Sequence, residues 1–185
     1  MTFLLQQTLI YTVPLILVAL AGVFAERSGI INLALEGIMI IGAFVGAWFV
    51  RSMQEGIWQE SAAQGLLVLT LLITAAAGAL FSLLLSFSAV KMKADQTIGG
   101  TALNLLAPAI VLFLVNIIFQ QTTLNLRYDA PSWFMLFQTD FGFYRQAKLV
   151  LVGDLLLNKT YLTTYIGLLI YVALSVILYK TRFGL

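Results

Sequence analysis

The chain has 185 residues, 61% of them hydrophobic and 10% charged, with a mean hydropathy of +1.00. A soluble domain is nearer about half apolar and about a quarter charged, so this composition belongs to an integral membrane protein. With no cysteine and no histidine, disulfides, thiolate or imidazole metal sites and catalysis by those side chains are excluded, and a scattered net charge of +2 gives no basis for nucleic-acid binding.

In chain order, five stretches with little or no charge approach the ~20 residues that a helix rising ~1.5 Å per residue needs to cross about 30 Å of hydrocarbon. They cover residues 4–24, 29–50, 65–90, 98–120 and 160–179. Each is expected to be helical, because an isolated strand in lipid leaves its backbone polar groups unpaired. The predicted architecture is all-α: a polytopic transmembrane helix bundle of about five spans, forming one transmembrane domain over 1–185. The first stretch lacks the basic flank of a cleavable signal peptide. It contains Pro14, and the fourth contains Pro108; both mark kinks that face protein, where neighbours re-satisfy the freed carbonyl.

The second span is introduced by AERSGIINLALEGIMIIGAF, residues 25–44, which carries Glu26, Arg27, Ser28, Asn32 and Glu36. If the segment is helical from Glu26, Glu36 lies about 15 Å along it. That is near the middle of the hydrocarbon, where an acidic side chain costs about 2.5 to 3.5 kcal/mol. A packing reading has Glu36 protonated or bonded to a neighbouring helix. A transport reading has the segment discontinuous over 28–36 and lining a polar pathway, since irregular backbone survives at depth only where protein or water covers it. Ser28, Asn32 and Glu36 recur every four residues and would share one helix face, which favours the transport reading. One broken or polar helix is therefore expected near 26–36. Beyond it, Gly42 and Gly46 form a small-xxx-small pair, and TAAAGA at 74–79, which includes Gly78, is a run of small side chains. Both are assigned to close helix packing.

KMKADQTIGGTALNLLAP, residues 91–108, leads into the fourth span. Asp95 or Thr97 is the expected N-cap. Thr97, Thr101, Asn104 and Pro108 then fall on a common face. For the two threonines, back-bonding to a carbonyl one turn earlier is the stronger reading. Asn104 differs: its amide has four hydrogen-bonding sites, lies about 10 Å deep, and must find partners, which the polar segment of the second span can supply. The candidate pathway residues are thus Asn32, Glu36, Thr101 and Asn104. The connection 121–159 is long and rich in aromatic and aliphatic runs, so it is expected to lie on the membrane surface or to dock an external partner. NKT at 158–160 matches a glycosylation sequon, a pattern short enough to arise by chance.

Orientation follows from the density of Lys and Arg in alternate connections. Arg27, Lys91, Lys93, Lys180 and Arg182 fall in short segments on one side, while Arg51, Arg127, Arg145, Lys148 and Lys159 are spread over much longer ones. The first side is read as cytoplasmic, with the N-terminus outside and residue 185 inside. Trp48, Trp58 and Trp133 then fall on the outer side, as in an interfacial aromatic belt. There is no GxxxxGK[ST] phosphate loop, no nucleophile-and-base pair and no metal cluster, so neither a cofactor, a metal nor an enzymatic activity is expected of this chain.

ERSGIINLALEGIMIIGAF and KADQTIGGTALNLLAP, at this separation, resemble the two most recognisable stretches of bacterial ATP-binding cassette (ABC) importer permeases in the broad group serving ribose-type sugars, nucleosides and branched-chain amino acids. The form ERSGIINLALEG is most similar to the nucleoside and simple-sugar branch that works with lipoprotein-type binding proteins. The likeness covers essentially the whole chain. It implies a plasma-membrane importer subunit that pairs with a second permease, with two cytoplasmic ATPase subunits that bind the ATP, and with an external substrate-binding lipoprotein. Such permeases continue past TRFGL at 181–185 into a cytoplasmic coupling segment and further helices, so the chain is expected to be a fragment. Three other readings stay open: an ion-gradient-driven transporter or channel titrating at Glu36, a branched-chain amino acid permease, and a noncatalytic assembly subunit.

Overall fold

The computed structural model describes residues 2–55, 63–126, 135–136 and 160–181. Five helices run through these residues: α1 (Thr2–Arg27), α2 (Leu35–Glu55), α3 (Ala63–Val90), α4 (Gln96–Phe119) and α5 (Leu162–Lys180). All five are long and apolar enough to cross a membrane. Leu, Ile, Val and Phe point out on almost every side of them, as suits helices whose solvent is lipid on one face and another helix on the other. The protein is a multi-pass helical membrane protein. Its small non-helical element is a two-residue antiparallel ladder pairing Met135 with Tyr161 and Leu136 with Thr160. Most of the long connection over 121–159 lies outside the described residues, as do Trp58, Trp133 and Asn158 of the sequon.

The chain divides into two compact units. In the first, α1 packs on α5. Gly167 permits this approach, since a Cβ there would lie 2.6 Å from Val13 Cγ1. The two helices end together: Arg27 Nη1 donates to Leu178 O at 3.3 Å, and the guanidinium stands 5.1 Å from the Tyr179 ring centroid. A cation placed there satisfies a carbonyl of the last turn, which has no partner within its own helix.

In the second unit α2 packs on both α3 and α4. Ile38 meets Gly78 while Gly46 meets Thr70 and Thr74, so α2 and α3 are antiparallel. With α4 the register is parallel: Gly37 lies beside Leu103 and Asn104, and fourteen residues on Arg51 reaches the far end of α4. There its Nη1 donates to Asn125 O at 3.2 Å and its guanidinium stacks 4.4 Å from the Phe119 ring centroid.

Between α1 and α2 the backbone leaves the helix over residues 28–34, with Gly29 at φ +81°. A left-handed residue cannot continue a right-handed helix, and glycine adopts that conformation without a Cβ penalty. This is the break expected near 26–36. Its consequence is that Ser28, Asn32 and Glu36 do not stack on a single helix face, and depth cannot be measured by helical rise from Glu26.

Candidate functional site

The site is built from the start of α4. Asp95 Oδ1 caps that helix, accepting from Thr97 N at 2.7 Å and Ile98 N at 3.3 Å. These backbone N–H groups, Thr97 first, hold the carboxyl below its ordinary value. With the first turn fixed, Gln96 Oε1 accepts from Ile31 N at 2.8 Å. Two turns further, Asn104 spans the rest of the break. Its Nδ2 donates to Leu33 O at 2.5 Å, and its Oδ1 accepts from Gly37 N at 2.7 Å. Gly37 is in the first turn of α2, where backbone N–H groups have no partner within the helix, so a side chain of α4 supplies one. Asn32 acts locally: its Oδ1 accepts from Ala34 N at 3.0 Å, an Asx-type turn that leads into α2.

Two glycines set how closely the break approaches α4. A Cβ on Gly100 would lie 2.9 Å from Leu33 Cβ and 3.2 Å from its Cα and N. One on Gly37 would lie 2.9 Å from Leu103 O and 3.1 Å from Asn104 Oδ1. Ala34 and Ala107, at the same contact, are fully buried at 0% exposure. The break therefore runs alongside α4 from Gln96 to Asn104, a distance of about 12 Å at ~1.5 Å per residue. Glu36 enters level with Asn104, roughly a third of the way along the 24-residue α4. It lies in the Leu35–Gln54 stretch of α2, which is long and apolar enough to cross a membrane.

The four polar candidates separate at this point. Asn104 and Asn32 are engaged with the backbone of the break. Thr101 is exposed and bonds back along its own helix, donating to Thr97 O at 2.9 Å and Ile98 O at 3.0 Å. Glu36 is exposed and has no hydrogen-bond or ion-pair partner among the described residues. Its place in the first turn of α2 is favourable for a carboxylate, because the helix dipole presents partial positive charge there. Among the described residues no group of three or more acidic side chains is arranged to hold a metal.

The packing glycines lie on the other side of α2. A Cβ on Gly42 would meet Thr74 Cγ2 at 3.2 Å, one on Gly46 would meet Thr74 Oγ1 at 2.6 Å, and one on Gly78 would meet Ile38 Cγ2 at 3.3 Å. Gln96, Gly37 and Gly100 were not singled out from sequence. The available signal was that all three sit inside the two motifs, and that a glycine within a span marks close backbone approach.

Apolar helices of membrane-spanning length thus surround a polar break that side chains of α4 staple through its backbone. The chain belongs to the family described as the branched-chain amino acid transport system / permease component, whose profile matches residues 4–185. It is 34% identical over 177 residues to the nucleoside ABC transporter permease protein NupC of Lactococcus lactis, covering 96% of this chain and 52% of that relative. It is 36% identical over 190 residues to the guanosine ABC transporter permease protein NupQ of Bacillus subtilis, covering 100% of this chain and 54% of that relative. The chain thus spans about half the length of these curated relatives. No solved structure matches it.

Proposed function

We propose that this chain is transmembrane permease sequence of an ABC importer for nucleosides, with Glu36 on the solute pathway. The substrate class rests on the two relatives named for nucleoside and guanosine transport. The pathway assignment rests on one observation: Glu36 lies level with Asn104 inside the membrane-length apolar stretch Leu35–Gln54, it is exposed, and its carboxylate has no partner among the described residues. A carboxylate at that depth cannot face acyl chains at low cost. A water-filled passage carrying a polar solute suits it. Asn32, Thr101 and Asn104 border the same passage, the two asparagines by fixing the backbone that presents Glu36.

The remaining parts of the reading follow the resemblance. A second permease subunit completes the walls, cytoplasmic ATPase subunits supply the energy, and an external lipoprotein delivers the solute. The basic-residue density supports an outside N-terminus and a cytoplasmic residue 185. Exchange between outward- and inward-open arrangements then carries the solute across. In the assembled transporter, Glu36→Gln is expected to lower nucleoside uptake at least tenfold with membrane insertion unchanged. Normal uptake by that variant would remove Glu36 from the pathway. Uptake that survives ATP depletion but collapses with a protonophore would replace the ABC reading with an ion-gradient one, and competition by simple sugars or branched-chain amino acids would change the substrate class.

A further inference from the structure

Gln54 is the other end of the face that carries Glu36. It is 0% exposed, and among the described residues neither its Nε2 nor its Oε1 has a hydrogen-bond partner. Buried side-chain amides are costly when unbonded, so native proteins rarely keep one without use for it. Positions 36 and 54 of α2 are separated by about five full turns at 3.6 residues per turn, which brings them onto one line. Ala43 and Ala47 fall within about 20° of that line. The glycines that meet α3 and α4 are rotated away from it by roughly 80 to 120°. The opposite side of the helix is bulky, with Ile41, Val45 and Phe49 at four-residue spacing.

One face of α2 therefore has a hydrogen-bonding side chain at each end and only alanine on its centre line between them. The two ends lie about 27 Å apart at ~1.5 Å per residue. Gln54 lies just beyond Arg51, which is level with the end of α4 through Asn125 and Phe119, so it stands at the mouth opposite to the break. Glu36 is exposed while Gln54 is buried.

We infer that Gln54 is a second solute-contacting residue, a hydrogen-bonding station at the far mouth of the passage that Glu36 lines, with Ala43 and Ala47 leaving room for the solute between them. The inference rests on the pathway reading of Glu36. A primary amide offers a donor and an acceptor side by side, which fits the paired donors and acceptors of a nucleobase edge or of sugar hydroxyls.

The test compares Gln54→Leu with Glu36→Gln in the assembled transporter, together with single cysteines on a chain that has none of its own. Gln54→Leu is expected to lower nucleoside uptake at least tenfold while the thermal midpoint of the assembly stays level or rises, since a merely structural orphaned amide is dispensable for transport. Ala43→Cys and Ala47→Cys are expected to react with a small charged thiol reagent and to be shielded by nucleoside, whereas Val45→Cys, about half a turn away, does not react. Wild-type uptake by Gln54→Leu, or labelling of Val45→Cys in place of the two alanine positions, overturns the inference. If Gln54→Leu fails to assemble, the labelling pattern decides alone. Normal uptake by Glu36→Gln overturns the underlying pathway reading instead.

Discussion

The two contacts that α2 makes solve different problems. Toward α4 it presents an irregular lead-in, and three side-chain-to-backbone hydrogen bonds, from Gln96 and twice from Asn104, close the gap. Toward α3 it presents a regular helix, and Gly42, Gly46 and Gly78 meet Thr74, Thr70 and Ile38 by van der Waals contact. Thr70 spends its hydroxyl on its own helix, bonding Leu66 O at 2.7 Å. The difference follows from what lipid demands. A regular helix has already satisfied its backbone and needs only a fitting neighbour, whereas a broken one must borrow polar partners from elsewhere. The α4 contact is consequently directional and fixed in register. The α3 contact is smooth, and is the one along which small sliding of packed helices costs least.

Asn104→Leu breaks the comparison most sharply. It leaves Leu33 O and Gly37 N–H without partners, and each unsatisfied group costs about 1–3 kcal/mol, so a loss of about 2–6 kcal/mol is expected in detergent unfolding. On the α3 side a steric change has the next largest effect. Gly46→Ala puts a Cβ 2.6 Å from Thr74 Oγ1, an overpacking expected to cost about 1–3 kcal/mol. Adding Thr74→Ala removes the obstructing hydroxyl, so the double variant should recover most of that loss, and a double-mutant cycle measures the coupling. Gly100→Ala cannot be rescued in this way, because it meets the Leu33 Cα and N at 3.2 Å and no side-chain truncation moves the backbone. Equal rescue on both sides would erase the distinction between a fitted contact and a fixed one.

The regular side of this comparison was the easier to read from sequence. Gly42, Gly46 and Gly78 announce close packing by composition, and the five apolar stretches announce spans by length, because both properties are local. The break near 26–36 was also legible, since Glu36 and Asn32 in an apolar setting demand protected irregular backbone. What sequence did not show was which groups do the protecting. Gln96 reads as one more polar residue at a helix start, and its bond to Ile31 N joins residues far apart in the chain. Asn104 needs partners, and both are backbone groups, the Leu33 carbonyl of the break and the Gly37 N–H in the first turn of α2, which no side-chain pattern encodes. Helical rise from Glu26 gives no measure of depth for a related reason: residues 28–34 are not helical.

The smallest expected effect sharpens the same contrast through pH. Asp95 holds the first turn of α4 by accepting from Thr97 N and Ile98 N, and those bonds lower its pKa from the ordinary 3.8. A carboxyl whose folded pKa is depressed contributes stability that is present above its unfolded value and lost as pH falls through the folded one. Acidification below pH 3.8 should thus loosen the capped turn, and with it the neighbouring Gln96 that catches Ile31 N. Hydrogen-exchange protection at Thr97, Ile98 and Ile31 is expected to fall there. Asp95→Asn keeps an acceptor that does not titrate and should hold the same protection at every pH. Amides along the α2–α3 stripe depend on no ionisable group and should not respond. A loss of protection on both faces of α2 at the same pH would mean that the cap supports the whole unit, and that the α4 contact is not separable from the α3 contact.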